Sequence, residues 1–327
     1  MRRSVAARRT QTALAGLAAG LVLLAGCSSS KPAAPKPSAT SGAPVAQAIG
    51  IRPSIQVPAG QPDGKLGVKV KIPGDGAKVT DGSAVVLQFT AKLWRDGSDL
   101  GSSYDQGQHP VTEVEGAGQM LPGWEQGLKG QSAGSRVELT VPPALAFGSK
   151  GTTDGKITIT GTDTIIFDLD VIGVYPSPQA DIPAGPGVLN DPALPTVATT
   201  VGPNDPKVTI PAGKQPPTAG VYKPVIVGKG APVKKGQILV VQYEGLIWRT
   251  GQIFDSSFSK SKSVFATPIG IGAVVPGWDE GLIGQTVGSR VLLVVPPDKG
   301  YGTAGQPDAG IQGTDTMVFV VDILDAR

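Results

Sequence analysis

The sequence is poor in the residue types on which most enzyme chemistry depends. Its 327 residues include one cysteine, Cys27, and one histidine, His109. A single cysteine cannot form an intramolecular disulfide. Protein-ligated zinc needs several Cys or His ligands, and a Ser-His or Cys-His nucleophile needs a histidine beside it. His109 precedes proline in a polar stretch, so the sequence predicts neither a zinc site nor a conventional hydrolytic triad.

Phosphate-binding motifs and a basic surface are also lacking. There is no Walker loop, no dinucleotide fingerprint and no basic stretch interleaved with aromatics. The net charge is +3, but Arg2, Arg3, Arg8 and Arg9 lie at the extreme N-terminus, and without these four the balance is 25 basic against 26 acidic residues. We therefore expect no nucleic-acid partner and no nucleotide cofactor.

The N-terminus has the pattern of an export signal. The four arginines precede an apolar run at residues 13–25, and the sequence Leu-Ala-Gly-Cys then ends at Cys27. The run is short for a membrane span, and this order of basic, apolar and small residues predicts a signal peptide at 1–26. The ending resembles the bacterial lipobox, which implies a lipidated Cys27 and a protein held at the outer face of the cytoplasmic membrane. The alternative is an ordinary signal peptide with an incidental cysteine.

Internal duplication organises the rest of the chain. Residues 52–175 and 202–327 are copies at an offset of 154, which falls to 152 in the last strand-like run. All four tryptophans fall at paired positions, Trp94 with Trp248 and Trp124 with Trp278. Two Pro-rich stretches separate the parts: a flexible tether at 27–51 and a linker at 176–201.

Each copy contains one helix signal among several strand signals. Residues 274–282 read VVPGWDEGL, and residues 120–128 read MLPGWEQGL. Proline and glycine favour the start of a short helix, in which Trp278 and Leu282 share a face. Runs rich in Val, Ile and Leu at 238–243, 290–295 and 317–323 predict strands. We therefore predict an α+β class, with an antiparallel sheet of about five strands wrapping one short helix in each copy.

The second copy has a set of aromatic residues at the ends of different predicted elements. One interpretation is an ordinary hydrophobic core. The other is a binding cleft, favoured because Phe254 precedes Asp255 and because Tyr301 lies in a glycine-rich loop. The set comprises Tyr243, Phe254, Phe265, Trp278, Tyr301 and Phe319, with Val274 and Val275.

The segments 241–245 (VQYEG), 251–257 (GQIFDSS), 275–281 (VPGWDEG) and 301–302 (YG) resemble the FKBP family of peptidyl-prolyl cis-trans isomerases. The resemblance implies a twisted antiparallel sheet around a short helix, with an apolar pocket that receives proline. It implies catalytic roles for Asp255 and Tyr301 at the rim, a floor at Trp278, and a backbone N–H of Val275 that faces the substrate. The implied walls are Tyr243, Phe254, Phe265, Val274, Val275 and Phe319. A basic position of the family falls near Lys260, and a position often held by histidine is Gln306.

The implied activity is prolyl isomerisation of exported polypeptides, with no cofactor and no metal. Family pockets also accept macrolide inhibitors. The alternative is a non-enzymatic binding module or chaperone of the same fold at the cell envelope.

The first copy departs from the motif at the implied site. Phe89 replaces the first tyrosine, Leu100 and Gly101 replace the Phe-Asp pair, Val111 replaces a wall aromatic, and Phe147 replaces the second tyrosine. We therefore predict that residues 52–175 form a degenerate domain with little activity and that residues 202–327 form the catalytic domain.

Overall fold

The computed structural model describes residues 49–118, 120–154, 157–176, 187–198, 206–258 and 263–327. The predicted signal peptide, Cys27, most of the tether and Lys260 lie outside the described residues. Within these ranges, no helix is both long enough and apolar enough to cross a membrane.

Within the described residues, short strands dominate both copies, and each copy has one α-helix. The helices are α1 (Pro122–Leu128) and α2 (Pro276–Leu282). The strands are β1 (Gly67–Ile72), β2 (Ser83–Leu93), β3 (Asp99–Ser102), β4 (Val111–Val114), β5 (Arg136–Val141), β6 (Thr152–Asp154), β7 (Ile157–Ile159), β8 (Ile165–Pro176), β9 (Thr196–Val197), β10 (Val208–Thr209), β11 (Val221–Ile226), β12 (Ile238–Ile247), β13 (Ile253–Ser256), β14 (Phe265–Pro268), β15 (Arg290–Val295) and β16 (Met317–Ala326).

The two domains share one sheet topology. The first sheet has the order β1-β5-β8-β2-β3 with β4 also paired to β2, and the second has β11-β15-β16-β12-β13 with β14 also paired to β12. All pairings in both sheets are antiparallel. The predicted α+β class is confirmed. Each sheet has six strands rather than about five, because the long strands β2 and β12 each pair with two short edge strands in succession.

Helix α2 lies close against the sheet because its buried face carries two glycines. A Cβ at Gly277 or Gly281 would come within 2.7 Å of a β15 side chain. Trp278 and Leu282 are buried on that face, as their spacing predicts. The helix ends at Leu282, and Gly284 follows with a φ of 85°, which glycine adopts without strain.

Each sheet also carries a buried bidentate ion pair at the same place. Arg290 donates through Nε and Nη2 to the two carboxylate oxygens of Asp322, both at 2.7 Å. Arg136 and Asp170 repeat the arrangement at 2.6 and 2.7 Å. In such a pair, each buried charge has an opposite charge and hydrogen-bond partners, so neither is left uncompensated in the apolar interior.

The segment before the first strand of each sheet is tied to that sheet's domain. The Nε1 of Trp248 donates to the carbonyl of Lys214 at 3.1 Å, and the Nε1 of Trp94 donates to the carbonyl of Gly60 at 2.9 Å. Leu194, in the described part of the Pro-rich segment, packs with β11, β12, β15 and β16 on the outer face of the second sheet. Structure that belongs to the second domain therefore begins before residue 202.

The buried apolar residues of the described ranges form four clusters. One lies between the helix and the sheet of the first domain, and one lies between the helix and the sheet of the second domain. A third lies between the outer face of the second sheet and the segment that precedes this sheet. The fourth joins the two domains. Trp124 and Trp278 belong to the first two clusters.

Candidate functional site

A cavity of about 440 Å³ opens between α2 and the sheet of the second domain. The structure brings all nine sequence-predicted pocket residues of this domain to its lining. Gly272 and Ala273 complete it and were not predicted. The lining residues are Tyr243, Phe254, Asp255, Phe265, Gly272, Ala273, Val274, Val275, Trp278, Tyr301 and Phe319.

Trp278 forms the centre of the aromatic lining. Its side chain is 4% exposed, and three rings meet it edge-on. The ring centroids of Tyr243, Phe265 and Phe319 lie 5.3, 6.1 and 5.5 Å from that of Trp278, with interplanar angles between 82° and 89°. Edge-to-face geometry is the favoured arrangement for aromatic pairs. The contacts hold the rings at fixed angles around an apolar space.

Phe254 adds a further ring to the wall. Its ring centroid lies 5.6 Å from that of Phe319, again edge-on at 88°. The ring has room because residue 245 on β12 is glycine. A Cβ at Gly245 would lie 2.6 Å from Phe254 Cζ and 3.0 Å from Phe319 Cε1.

The polar groups of the cavity are two phenols and one carboxylate. The hydroxyl of Tyr243 donates a short hydrogen bond to Asp255. Burial, and then this hydrogen bond, raise the pKa of Tyr243. Asp255 Oδ1 also accepts the backbone N–H of Ser256 at 3.0 Å. These two hydrogen bonds fix the orientation of the Asp255 carboxylate in the lining.

Tyr301 supplies the exposed hydrogen-bond donor. It is 41% exposed, the largest value among the aromatic residues of the lining. Burial and then the charge of Asp255 raise its pKa, so the phenol stays protonated at neutral pH. A neutral phenol in this position can donate a hydrogen bond to a carbonyl oxygen that enters the cavity.

The loop before α2 is held by a carboxylate of the helix. Asp279 accepts the backbone N–H groups of Gly270 at 2.6 Å and Gly272 at 2.9 Å. This bridge places Gly272 and Ala273 at the cavity edge. Sequence reasoning missed both because neither has side-chain chemistry. The acidic residue in the first turn of α2 was the available signal, although it also fits the helix dipole.

A second contact ties α2 to the segment that leads to Tyr301. Lys299 Nζ lies 2.6 Å from Glu280 Oε1, and the Tyr222 hydroxyl donates to Glu280 Oε2 at 3.2 Å. The ion pair is partly exposed, so its contribution to stability is small. It nevertheless joins the floor helix to the loop that carries the rim phenol.

The first domain keeps the centre of this arrangement and lacks its rim. Trp124 meets Phe89 at 5.6 Å and Phe167 at 5.2 Å, with interplanar angles of 60° and 89°. The smaller Leu100 is buried in the same cluster. Ala91 stands at the position equivalent to Gly245 and is buried in the same cluster as Leu100. The departures predicted from the sequence are Phe89, Leu100, Gly101, Val111 and Phe147.

No group of three or more His, Cys, Asp and Glu side chains is placed to hold a metal ion within the described ranges.

Comparisons with known proteins identify the family. The profile of the FKBP-type peptidyl-prolyl cis-trans isomerase family matches residues 76–172 and 229–324. The chain is 32% identical over 230 residues to peptidyl-prolyl cis-trans isomerase FKBP9 of Mus musculus, across 70% of this chain and 32% of that protein. It is 33% identical over 123 residues to an FK506-binding protein of Streptomyces anulatus, across 38% of this chain and 97% of that protein.

Among solved structures, the chain is similar to the three FKBP domains of wheat FKBP73, at 18% identity and a TM-score of 0.33, across 81% of this chain and 96% of that one. The chain spans about a third of the length of the FKBP9 relatives that it matches. Two family matches in one chain confirm the tandem arrangement, and the chain belongs to the FKBP-type peptidyl-prolyl cis-trans isomerase family.

Proposed function

We propose that this chain is a peptidyl-prolyl cis-trans isomerase whose activity lies in the second domain. One observation carries the proposal: an apolar cavity walled by edge-on aromatic rings has the carboxylate of Asp255 and the hydroxyls of Tyr243 and Tyr301 as its polar side-chain groups. A proline ring is apolar and compact, and the peptide on either side of it is polar. The cavity therefore matches a prolyl residue with its flanking amides at the mouth.

The chemistry needs no nucleophile. Rotation about an Xaa-Pro bond faces a barrier of roughly 18–20 kcal/mol, because the planar amide must lose its resonance. The twisted amide is less polar than the planar one, so an apolar cavity stabilises it relative to the ground state. A hydrogen bond from Tyr301 to a flanking carbonyl would hold the chain while the bond turns. We propose that the backbone N–H of Val275 also donates a hydrogen bond to the substrate chain and helps to hold it.

An isomerisation assay on a prolyl tetrapeptide tests this function. The chain should accelerate cis-trans exchange, with a preference for an apolar residue before proline. Tyr301→Phe removes only the hydroxyl and should lower kcat/KM by about tenfold, as expected for a hydrogen bond made mainly in the transition state. Asp255→Ala should also lower it. Because Asp255 is only partly buried, the domain should stay folded. Wild-type rates at the uncatalysed background would refute the proposal.

We also propose that the protein is exported and anchored by lipid at Cys27, so that its substrates are proline-containing exported polypeptides. The basic, apolar and Leu-Ala-Gly-Cys sequence of residues 1–27 supports this. Two acyl chains hold a protein firmly on a membrane, whereas one binds reversibly. Cys27→Ser should leave the chain unprocessed or release it from washed membranes. Normal processing and retention of the variant would contradict the lipid anchor.

A non-enzymatic role fits the first domain better than the second. Its fold and its Trp124 cluster are intact, while the two polar rim groups are absent at Gly101 and Phe147. We therefore propose binding without turnover for this domain. If Trp124→Ala weakened the capture of an unfolded chain without changing tetrapeptide rates, that role would be supported. An unchanged capture would refute it.

A further inference from the structure

An apolar contact outside the cavity joins the two domains. It is formed by the outer faces of the two sheets, on the side away from the helices. The side chains at its centre are 5% exposed or less. The cluster consists of Ala84, Val86, Ile172, Val240, Val264 and Ala266, with Ile49, Tyr175, Ile238 and Leu324 packed against it.

Part of the contact uses equivalent positions on the two copies, whereas Val264 and Ala266 enter it from the second domain alone. At the repeat offsets of 154 and 152, Ala84 corresponds to Ile238, Val86 to Val240, and Ile172 to Leu324, and all six belong to the cluster. Such self-matching surfaces are typical of two-fold related partners. A polar link adds to the apolar one, because the Tyr175 hydroxyl donates to Asp325 Oδ2 at 2.8 Å. The two domains therefore meet through a specific interface.

One strand belongs to both this interface and the cavity. Along β14, successive side chains point to opposite faces. Phe265 points into the cavity, where its ring meets Tyr243 at 5.5 Å and Trp278 at 6.1 Å. Val264 and Ala266, on either side of it, are buried in the interdomain cluster. The backbone that carries the Phe265 wall is thus packed against the first domain.

β14 is held to its own sheet on one side only. It is a four-residue edge strand, and among the described strands it pairs only with β12. Its neighbour across the interface is β4 of the first domain. Short edge strands with one partner open more easily than central strands. Loss of the interdomain contact would therefore loosen β14 and, with it, the orientation of Phe265.

We infer that the first domain positions a wall of the second domain's pocket: packing of Val86 and its neighbours against Val264 and Ala266 holds β14, and β14 holds Phe265. The first domain then supports catalysis by the second domain and does not itself carry out the reaction. This inference rests on the proposed isomerase function of the second domain. Phe265 would contact the prolyl ring in both the planar and the twisted state, so a loose wall should raise KM more than it lowers kcat.

The test uses Val86→Asp in the full chain, with Val68→Asp as the matched control. Val86 is fully buried in the interface, and Val68 is 46% exposed on β1 of the same domain. Val86→Asp should raise KM for the tetrapeptide by about fivefold, the order expected when aromatic contacts loosen. Amide hydrogen exchange of residues 264–268 should become faster in the same variant. Val68→Asp should change neither quantity.

A milder variant covers the case in which Val86→Asp unfolds the first domain. Ile172→Ala removes apolar contact from the interface without adding a charge, and it should shift KM and exchange in the same direction by smaller amounts. Unchanged KM in a folded variant, or raised KM without faster exchange at β14, would overturn the inference. A wild-type chain without isomerase activity would refute the proposed function instead, and hydrogen exchange would still report on the contact.

Discussion

Gly245→Ala is expected to damage the pocket from inside the strand that supports it. The added Cβ would lie 2.6 Å from Phe254 Cζ and 3.0 Å from Phe319 Cε1. Ordinary contacts begin near 3.4 Å, so the Phe254 ring must move by nearly 1 Å. The free direction for that movement is the cavity. The methyl group therefore displaces a wall ring into the space proposed for proline.

The magnitude follows from two opposing effects. Overpacking of a well-packed interior costs about 1–3 kcal/mol. Alanine in a strand gains about 0.5–1 kcal/mol over glycine from the lower entropy of the unfolded chain. Gly245 does not have the positive φ that alanine would avoid. We therefore expect a net loss of about 1–2 kcal/mol in unfolding free energy, together with a larger fractional loss of isomerase activity.

The first domain suggests the compensating change. It has Ala91 and Leu100 where the second domain has Gly245 and Phe254. In the double variant Gly245→Ala/Phe254→Leu, the smaller side chain should recover most of the stability but not the activity. Denaturant unfolding and a tetrapeptide assay of both single variants and the double variant complete the cycle. Additive stability losses, or full activity in Gly245→Ala, would refute this account of the wall.

Three further results are expected. A macrolide of the kind that FKBP pockets accept should bind the second domain and inhibit it, and in calorimetry Leu100→Phe should not create a second site. Arg290→Ala should cost about 3–5 kcal/mol because it leaves Asp322 buried without its partner, whereas the combined Arg290→Met/Asp322→Leu change should cost much less. Burial and then the charge of Glu125 raise the pKa of Glu113 from 4.5 to about 7. The folded domain then binds more protons than the unfolded chain, so stability should fall by up to about 3 kcal/mol between pH 4.5 and 7, and Glu113→Gln should remove this contribution from thermal unfolding. A stability difference between Glu113→Gln and wild type that is independent of pH would contradict it.

The pocket was predictable because its signals are local. The aromatic and acidic residues lie in short segments with fixed spacing, and the glycines and prolines between them mark the turns. The duplication gives an internal comparison between the two copies. The second copy has Asp255 where the first has Gly101, so positions that differ in this way indicate the site, and positions that are shared indicate the fold. The positions of β12, β15 and β16 follow from β-branched and aliphatic runs, which strands accommodate well.

The contacts between segments could not be predicted in the same way. The composition of residues 187–198 is typical of a linker, yet Leu194 is buried against the second sheet. Tertiary contact decided this outcome, and composition alone carries no information on such contacts. The interdomain face left a weaker signal, since β2 has apolar residues on both faces at Val85 and Val86. A strand covered on both faces has this pattern, but the pattern does not say what covers it.

The measurement that most directly tests the location of the activity compares two matched variants of the full chain. Trp278→Leu and Trp124→Leu remove the equivalent indole from the two domains, and each side chain is buried at the centre of its aromatic cluster. The tetrapeptide kcat/KM of Trp278→Leu should fall by at least about tenfold, while that of Trp124→Leu should stay near the wild-type value. Equal losses in the two variants, or a loss confined to Trp124→Leu, would contradict a catalytic pocket in the second domain.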